Sequence, residues 1–112
     1  MPEVRLSQGC YRGGVDGEVN YYHGIPYAEL FERFQPPKAI GKDPAAAEGA
    51  KDATAFGPIC PQPHSRLEGI VYGPWPTPPN GGVPDERRCG VLSVYQPAAA
   101  AGSSGAKLPV IV

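Results

Sequence analysis

The sequence has no surplus of either charge: ten basic and eleven acidic residues are scattered along 112, for a net charge of −1. Without a basic face, phosphate-rich partners have nothing to grip, so neither nucleic acid nor an anionic lipid surface is an expected partner. No apolar run approaches the roughly 20 residues that a membrane-spanning helix requires, so no membrane span is expected. The opening Met1-Pro2-Glu3-Val4-Arg5 has neither a basic stretch nor the apolar core of about 7 to 15 residues that marks a signal peptide, which leaves the cytoplasm as the default compartment. Only three cysteines occur, Cys10, Cys60 and Cys89, with no C-x-x-C spacing for zinc, so neither a metal nor a cofactor is expected. At most two of the three can pair with each other.

What is abundant is glycine and proline, 15 of each. That share in an aperiodic sequence disfavours long regular elements. Against outright disorder stand 41% hydrophobic residues, six Tyr, three Phe and one Trp, enough apolar surface to drive collapse. One small domain of this length buries roughly two-thirds of the surface its unfolded chain exposes. The expectation is a loop-rich body of short strands.

Short Val-, Leu- and Tyr-bearing stretches separated by Gly9, Gly13, Gly14 and Gly17 predict strands over about residues 3–23. Gly24-Ile25-Pro26-Tyr27 is expected to break that ladder, because proline cannot donate to it. Ala45 to Ala53, rich in Ala, Glu and Lys after Pro44, predicts one short helix weakened by Gly49. The proline-dense region 56–89 reads as one long loop, which a compact body tolerates when it is functional or pinned at its base. Residues 90–95 give another β-like run, 98–105 a flexible Ala/Gly/Ser connection, and Lys107-Leu108-Pro109-Val110-Ile111-Val112 the start of an apolar strand of the kind buried in a sheet. Such a strand needs neighbours, so residues 1–112 read as the first segment of a longer domain.

Several of these segments, in this order, resemble the opening of the type-B carboxylesterase and cholinesterase family. Gly24-Ile25-Pro26-Tyr27-Ala28, then Arg33-Phe34 and Pro36-Pro37, resemble its G-I-P-Y-A, R-F, P-P succession. Asp52-Ala53-Thr54 with Phe56-Gly57-Pro58-Ile59-Cys60-Pro61-Gln62 is similar to its D-A-T-x-F-G-P-x-C-x-Q, and Cys89, Leu92 and Val94 keep its C-x-x-L-x-V spacing. Leu108-Pro109-Val110-Ile111-Val112 resembles the strand that leads into the family's oxyanion-hole glycines. The resemblance implies an α/β fold, here the N-terminal part of an α/β-hydrolase made mostly of short antiparallel strands and long Pro/Gly-rich loops. It also implies a complete protein that cleaves small-molecule carboxylic esters through an acyl-serine.

The resemblance further implies a disulfide between Cys60 and Cys89 at the base of a loop rimming the active-site gorge, which would favour an oxidising compartment. Closing such a loop stabilises by about 3 to 4 kcal/mol in the chain-entropy view. The alternative is two reduced thiols in a cytosolic protein. Trp75, inside the loop, is the candidate gorge-rim residue, against a ring that packs its own prolines. Three departures stand out. Glu29-Leu30-Phe31-Glu32 replaces a proline pair and a glycine. Arg33 is expected to face Arg87 or Arg88 unless Glu86 shifts by one place. Ser93 replaces an asparagine.

A serine esterase needs an activated hydroxyl, a histidine, a carboxylate and oxyanion donors, the hydroxyl sitting in G-x-S-x-G. That motif is absent, and Gly102-Ser103-Ser104-Gly105 has the wrong spacing, so no catalytic residue is assigned. His23 reads as a structural histidine on a strand, and His64, four residues after Cys60, lacks a second half-site for a metal. Cys10 reads as a small packed residue. The sequence therefore predicts an inactive N-terminal portion of an ester hydrolase, with a non-catalytic binding relative or a stand-alone disulfide-stabilised module as alternatives.

Overall fold

The computed structural model describes residues 1–42, 49–63, 83–102 and 107–112. Its elements are β1 (Glu3–Leu6), β2 (Gly9–Arg12), β3 (Gly14–Asp16), β4 (Val19–Pro26), β5 (Ala28–Glu29), β6 (Lys38–Ala39), β7 (Ala50–Asp52), β8 (Val91–Pro97) and a 3-10 turn at Ala98–Ala100. They form a sheet in the order β1-β2-β7, a sheet in the order β3-β4-β8, and the two-stranded ribbon β5-β6. His64, Trp75, Ser103 and Ser104 lie outside the described residues.

Turn chemistry explains why the chain folds back where it does. Asp16 pairs with Val19 across a two-residue loop whose first residue, Gly17, has φ +56, the left-handed conformation that two-residue hairpins require there. Between β2 and β3, Gly13 passes so close to β4 that a Cβ would lie 2.1 Å from the Tyr21 carbonyl oxygen. Only glycine permits that approach.

β4 is the longest strand and the organising one, pairing antiparallel with β3 on one side and β8 on the other. It departs from the sequence expectation. Gly24-Ile25-Pro26 does not end the ladder; the register shifts between Tyr22 and Ile25, and pairing resumes at Ile25↔Leu92 and Pro26↔Val91. Gly24, with φ +64, absorbs the irregularity, and Pro26 sits at the strand's end where its missing N–H costs little.

The short helix expected over 45–53 is corrected for its described part, residues 45–48 lying outside the described residues. Of that stretch, Ala50–Asp52 is β7, running parallel to β2 with Cys10↔Ala50, Tyr11↔Lys51 and Arg12↔Asp52. Gly49 at φ +83 interrupts helical geometry, and the Ala53 amide is taken by the Arg12 carbonyl at 2.8 Å. Pairing with β2 outweighs the modest helix propensity of Ala and Lys. Lys107–Val112, expected as a strand, pairs with none of the described residues, and Ile111 is 98% exposed.

The core is small. Tyr11, Tyr22, Ile25 and Ala53 form its buried cluster, with Val4 packed against it, so β2, β4 and the end of β7 meet in one place. Each fully buried side chain of that size contributes about 1.5 to 3 kcal/mol. Of the region 56–89, residues 64–82 lie outside the described residues; the segments on either side meet in a parallel bridge, Ile59↔Pro84, with Ile59 N–H on the Val83 carbonyl and Asp85 N–H on the Ile59 carbonyl, both at 3.1 Å.

Candidate functional site

Two clusters of chemically capable side chains emerge. The first lies at the loop base. Asp85 accepts hydrogen bonds from the Arg87 and Arg88 amides at 2.9 and 3.0 Å and from Arg88 Nε at 2.7 Å. This tight turn swings Arg88 away and leaves Glu86 pointing at Arg33, with Nε to Oε2 at 2.8 Å. The anticipated clash of like charges therefore does not occur: Glu86 takes the one-place shift and pairs with Arg33. These Arg88 and Arg87 donors hold the Asp85 carboxyl below its ordinary value.

Cys60 is exposed, Cys89 half-buried and Cys10 buried, and all three are thiols in this structure. Cys89 interacts with Cys60, whose thiol hydrogen bond is the largest influence raising the Cys89 value, ahead of burial. Its Sγ also lies 3.9 Å from the Glu86 carbonyl. The two cysteines expected as a disulfide thus influence each other but are free thiols, not a formed bridge. Cys10 packs in β2 with Sγ 4.0 Å from a Glu3 carboxylate oxygen.

The second cluster centres on His23. Before the register shift, Val19, Tyr21 and His23 of β4 point to one face of the β3-β4-β8 sheet, and β8 supplies Ser93 and Tyr95 to that same face through the Tyr21↔Tyr95 register. The His23 imidazole stacks on Tyr21 at 4.7 Å and on Phe56 at 3.9 Å, with Tyr95 edge-on at 5.6 Å. Its Nδ1 lies 3.1 Å from Ser93 Oγ, and its backbone N–H donates to the Ala53 carbonyl at 2.8 Å. Burial lowers its proton affinity, which keeps the ring neutral near pH 7. An open cleft of about 580 Å³ lies against it, lined by Val15, Asp16, Val19, Tyr21, His23 and Tyr95.

Reading the sequence alone gave His23 a structural place on its strand and noted Ser93 only as a departure. It missed their pairing, because 70 residues separate them and only the β4-β8 register joins them. The available signal was the periodicity of the two strands, but it does not fix which residues face each other. Among the described residues no cluster of three or more His, Cys, Asp or Glu side chains is arranged to hold a metal, and no helix is long and apolar enough to cross a membrane.

The strand order, the Arg33 to Glu86 pair and the adjacent cysteines at the loop base coincide with a match that covers residues 1–112 to the profile of the carboxylesterase family. The chain belongs to the carboxylesterase family. It is 34% identical over 109 residues to a probable N-octanoylanthranilate hydrolase AqdA2 of Rhodococcus erythropolis, covering 97% of this chain and 21% of that protein. Human neuroligin-2 is 35% identical over 86 residues, covering 67% of this chain and 10% of neuroligin-2. Among solved structures a PNB esterase superposes with a TM-score of 0.62 at 28% identity, over 87% of this chain and 18% of the esterase. The fold is the N-terminal part of an α/β-hydrolase, and this carboxylesterase chain spans about a fifth or less of these relatives.

Proposed function

We propose that this carboxylesterase chain is the N-terminal portion of a serine ester hydrolase acting on small-molecule carboxylic esters, and that the 112 residues alone do not turn such esters over. The observation that carries this reading is the likeness to a hydrolase along 97% of the chain, combined with the absence of G-x-S-x-G from the sequence. The nucleophile, its histidine and its acid would then be supplied by further chain. Within this portion Cys60 and Cys89 form a disulfide under oxidising conditions, each thiol giving up its proton and the pair two electrons to an oxidant such as glutathione disulfide. Their adjacency and the Ile59↔Pro84 bridge support that pairing. The test uses p-nitrophenyl esters of increasing chain length. Sustained turnover by the 112-residue chain would overturn the reading; turnover only after extension of the reading frame through a G-x-S-x-G would support it.

A second reading keeps the fold and uses it for binding rather than catalysis. It is favoured by the likeness to neuroligin-2, a relative not named for a hydrolase. A substituted serine at the extended frame's nucleophile position, with no ester turnover, would select it.

A further inference from the structure

The pairing of His23 with Ser93 belongs to neither the proposed triad nor the loop base. Ser93 is exposed, while its partner is fixed: His23 is 7% exposed and held between the Tyr21 and Phe56 rings with Tyr95 at its edge. A neutral imidazole whose Nδ1 lies 3.1 Å from a hydroxyl oxygen is in reach to take that hydroxyl's proton. Against His23 lies a cleft of ligand size, with Tyr21 and Tyr95 on its walls and Val15 and Val19 completing the apolar side, and Ser93 reaches it through its contact with the His23 ring.

We propose that Ser93 is an acylation site, its hydroxyl activated by His23 and its acyl group supplied by small aryl esters whose ring seats among the aromatic side chains of this cleft. Ser93 Oγ attacks the ester carbonyl carbon as its proton passes to His23 Nδ1. The carbon–oxygen bond to the aryl oxide then breaks, and the aryl oxide leaves with the electron pair and takes the proton from Nδ1. The products are O-acyl-Ser93 and a phenol, and His23 is restored to its neutral form. Aryl esters are the fitting class for two reasons. Their leaving group is stable as an oxide, which lowers the demand for oxyanion stabilisation, and a ring finds offset or edge partners in Tyr21 and Tyr95. One acyl group per chain is the expected stoichiometry, which sets this site apart from the repeated turnover of a complete esterase.

The experiment treats the full chain with p-nitrophenyl acetate, follows nitrophenol release, and maps the acetyl group by peptide mass spectrometry. The expected result is a single burst equal to the chain concentration, with the acetyl on Ser93. Ser93→Ala should abolish that label, and His23→Phe, which keeps the ring stack and removes the base, should slow it by at least about a hundredfold. Labelling spread over lysines and tyrosines, no label on Ser93, or an unchanged rate in His23→Phe would overturn the proposal. Should His23→Phe fail to fold by circular dichroism, the pH profile of the unaltered chain decides. Asp16 from β3, Tyr21 from β4 and Tyr95 from β8 are the other titratable groups lining the cleft. A labelling rate that falls as pH drops from about 8 to about 5 supports His23 as the base, and a flat rate overturns it. Steady turnover that survives Ser93→Ala would instead report a triad elsewhere, so the two readings fail separately.

Discussion

His23 shows how one side chain links burial to pH. Its proton affinity is lower in the folded chain than the ordinary 6.5, because burial disfavours the imidazolium. The unfolded chain therefore binds the proton more readily, so the penalty is absent well above pH 6.5 and grows as pH falls through 6.5 toward the lower folded value. The melting temperature should fall between pH 7.5 and 5, and His23→Phe should flatten that slope while costing about 1 kcal/mol for the lost bond to Ser93. Parallel thermal melts of the two proteins at both pH values check this, and identical slopes would contradict it. Asp52, whose carboxyl is held below 3.8 by Thr54, and Asp85, held below it by Arg88 and Arg87, act in the same direction in a separate window below about pH 4. Phe34 illustrates a different residue-level effect. It is fully exposed yet has φ +64, a conformation costly for a residue with a Cβ. Phe34→Gly removes that strain without emptying a core site and should stabilise the chain by about 1 kcal/mol, read as a shift in urea midpoint.

At the level of elements, backbone proximity decides more than propensity. Gly13→Ala would drive a methyl group to 2.1 Å from the Tyr21 carbonyl oxygen and 2.6 Å from the Tyr22 ring, so β2 and β4 would have to separate. A loss of about 2 to 3 kcal/mol is expected, measured by denaturant unfolding. Gly17→Ala meets no neighbouring atom and is strained only through its φ of +56, so its loss should be smaller. The same contrast explains what could be read from the sequence. The turn at Gly17 was legible because Asp-Gly between alternating apolar residues has a local cause. The strand Ala50–Asp52 was not, because its cause is the distant Cys10–Arg12 edge that it pairs with, and Ala and Lys by themselves favour helix. The family segments and the general place of Arg33 were legible as ordered motifs, whereas Cys60 and Cys89, expected as a disulfide, are free thiols here. Which acid meets Arg33 depended on a turn at Asp85 whose backbone bonds no spacing rule reveals. Replacing Glu86 by Gln should cost less than about 1 kcal/mol, since Arg33 keeps 76% of its side chain in solvent, and added salt should erase part of the difference.

For the whole molecule the controlling quantity is apolar surface left in water. The Cα radius of gyration is 16.1 Å, against about 13 Å for a compact chain of this length. Val110, Ile111 and Val112 are 83, 98 and 120% exposed, and Val94, Tyr95 and Leu92 along β8 are also in solvent. Among the described residues β8 has β4 on one side and no strand on the other, and the apolar segment Lys107–Val112 pairs with none of them. Unpaired edges and apolar strips of this kind recruit further strands, whether from additional chain or from a second copy. The 112-residue chain by itself should therefore bind a hydrophobic dye strongly, elute at a size that grows with concentration, and unfold over a broad urea range. Val110→Lys together with Ile111→Lys should reduce the association, because two charges on the strip oppose its burial against a neighbour. A compact monomer with a single sharp transition and little dye binding would show that the small Tyr11, Tyr22 and Ile25 core suffices without partners, and the whole-molecule account would then be wrong.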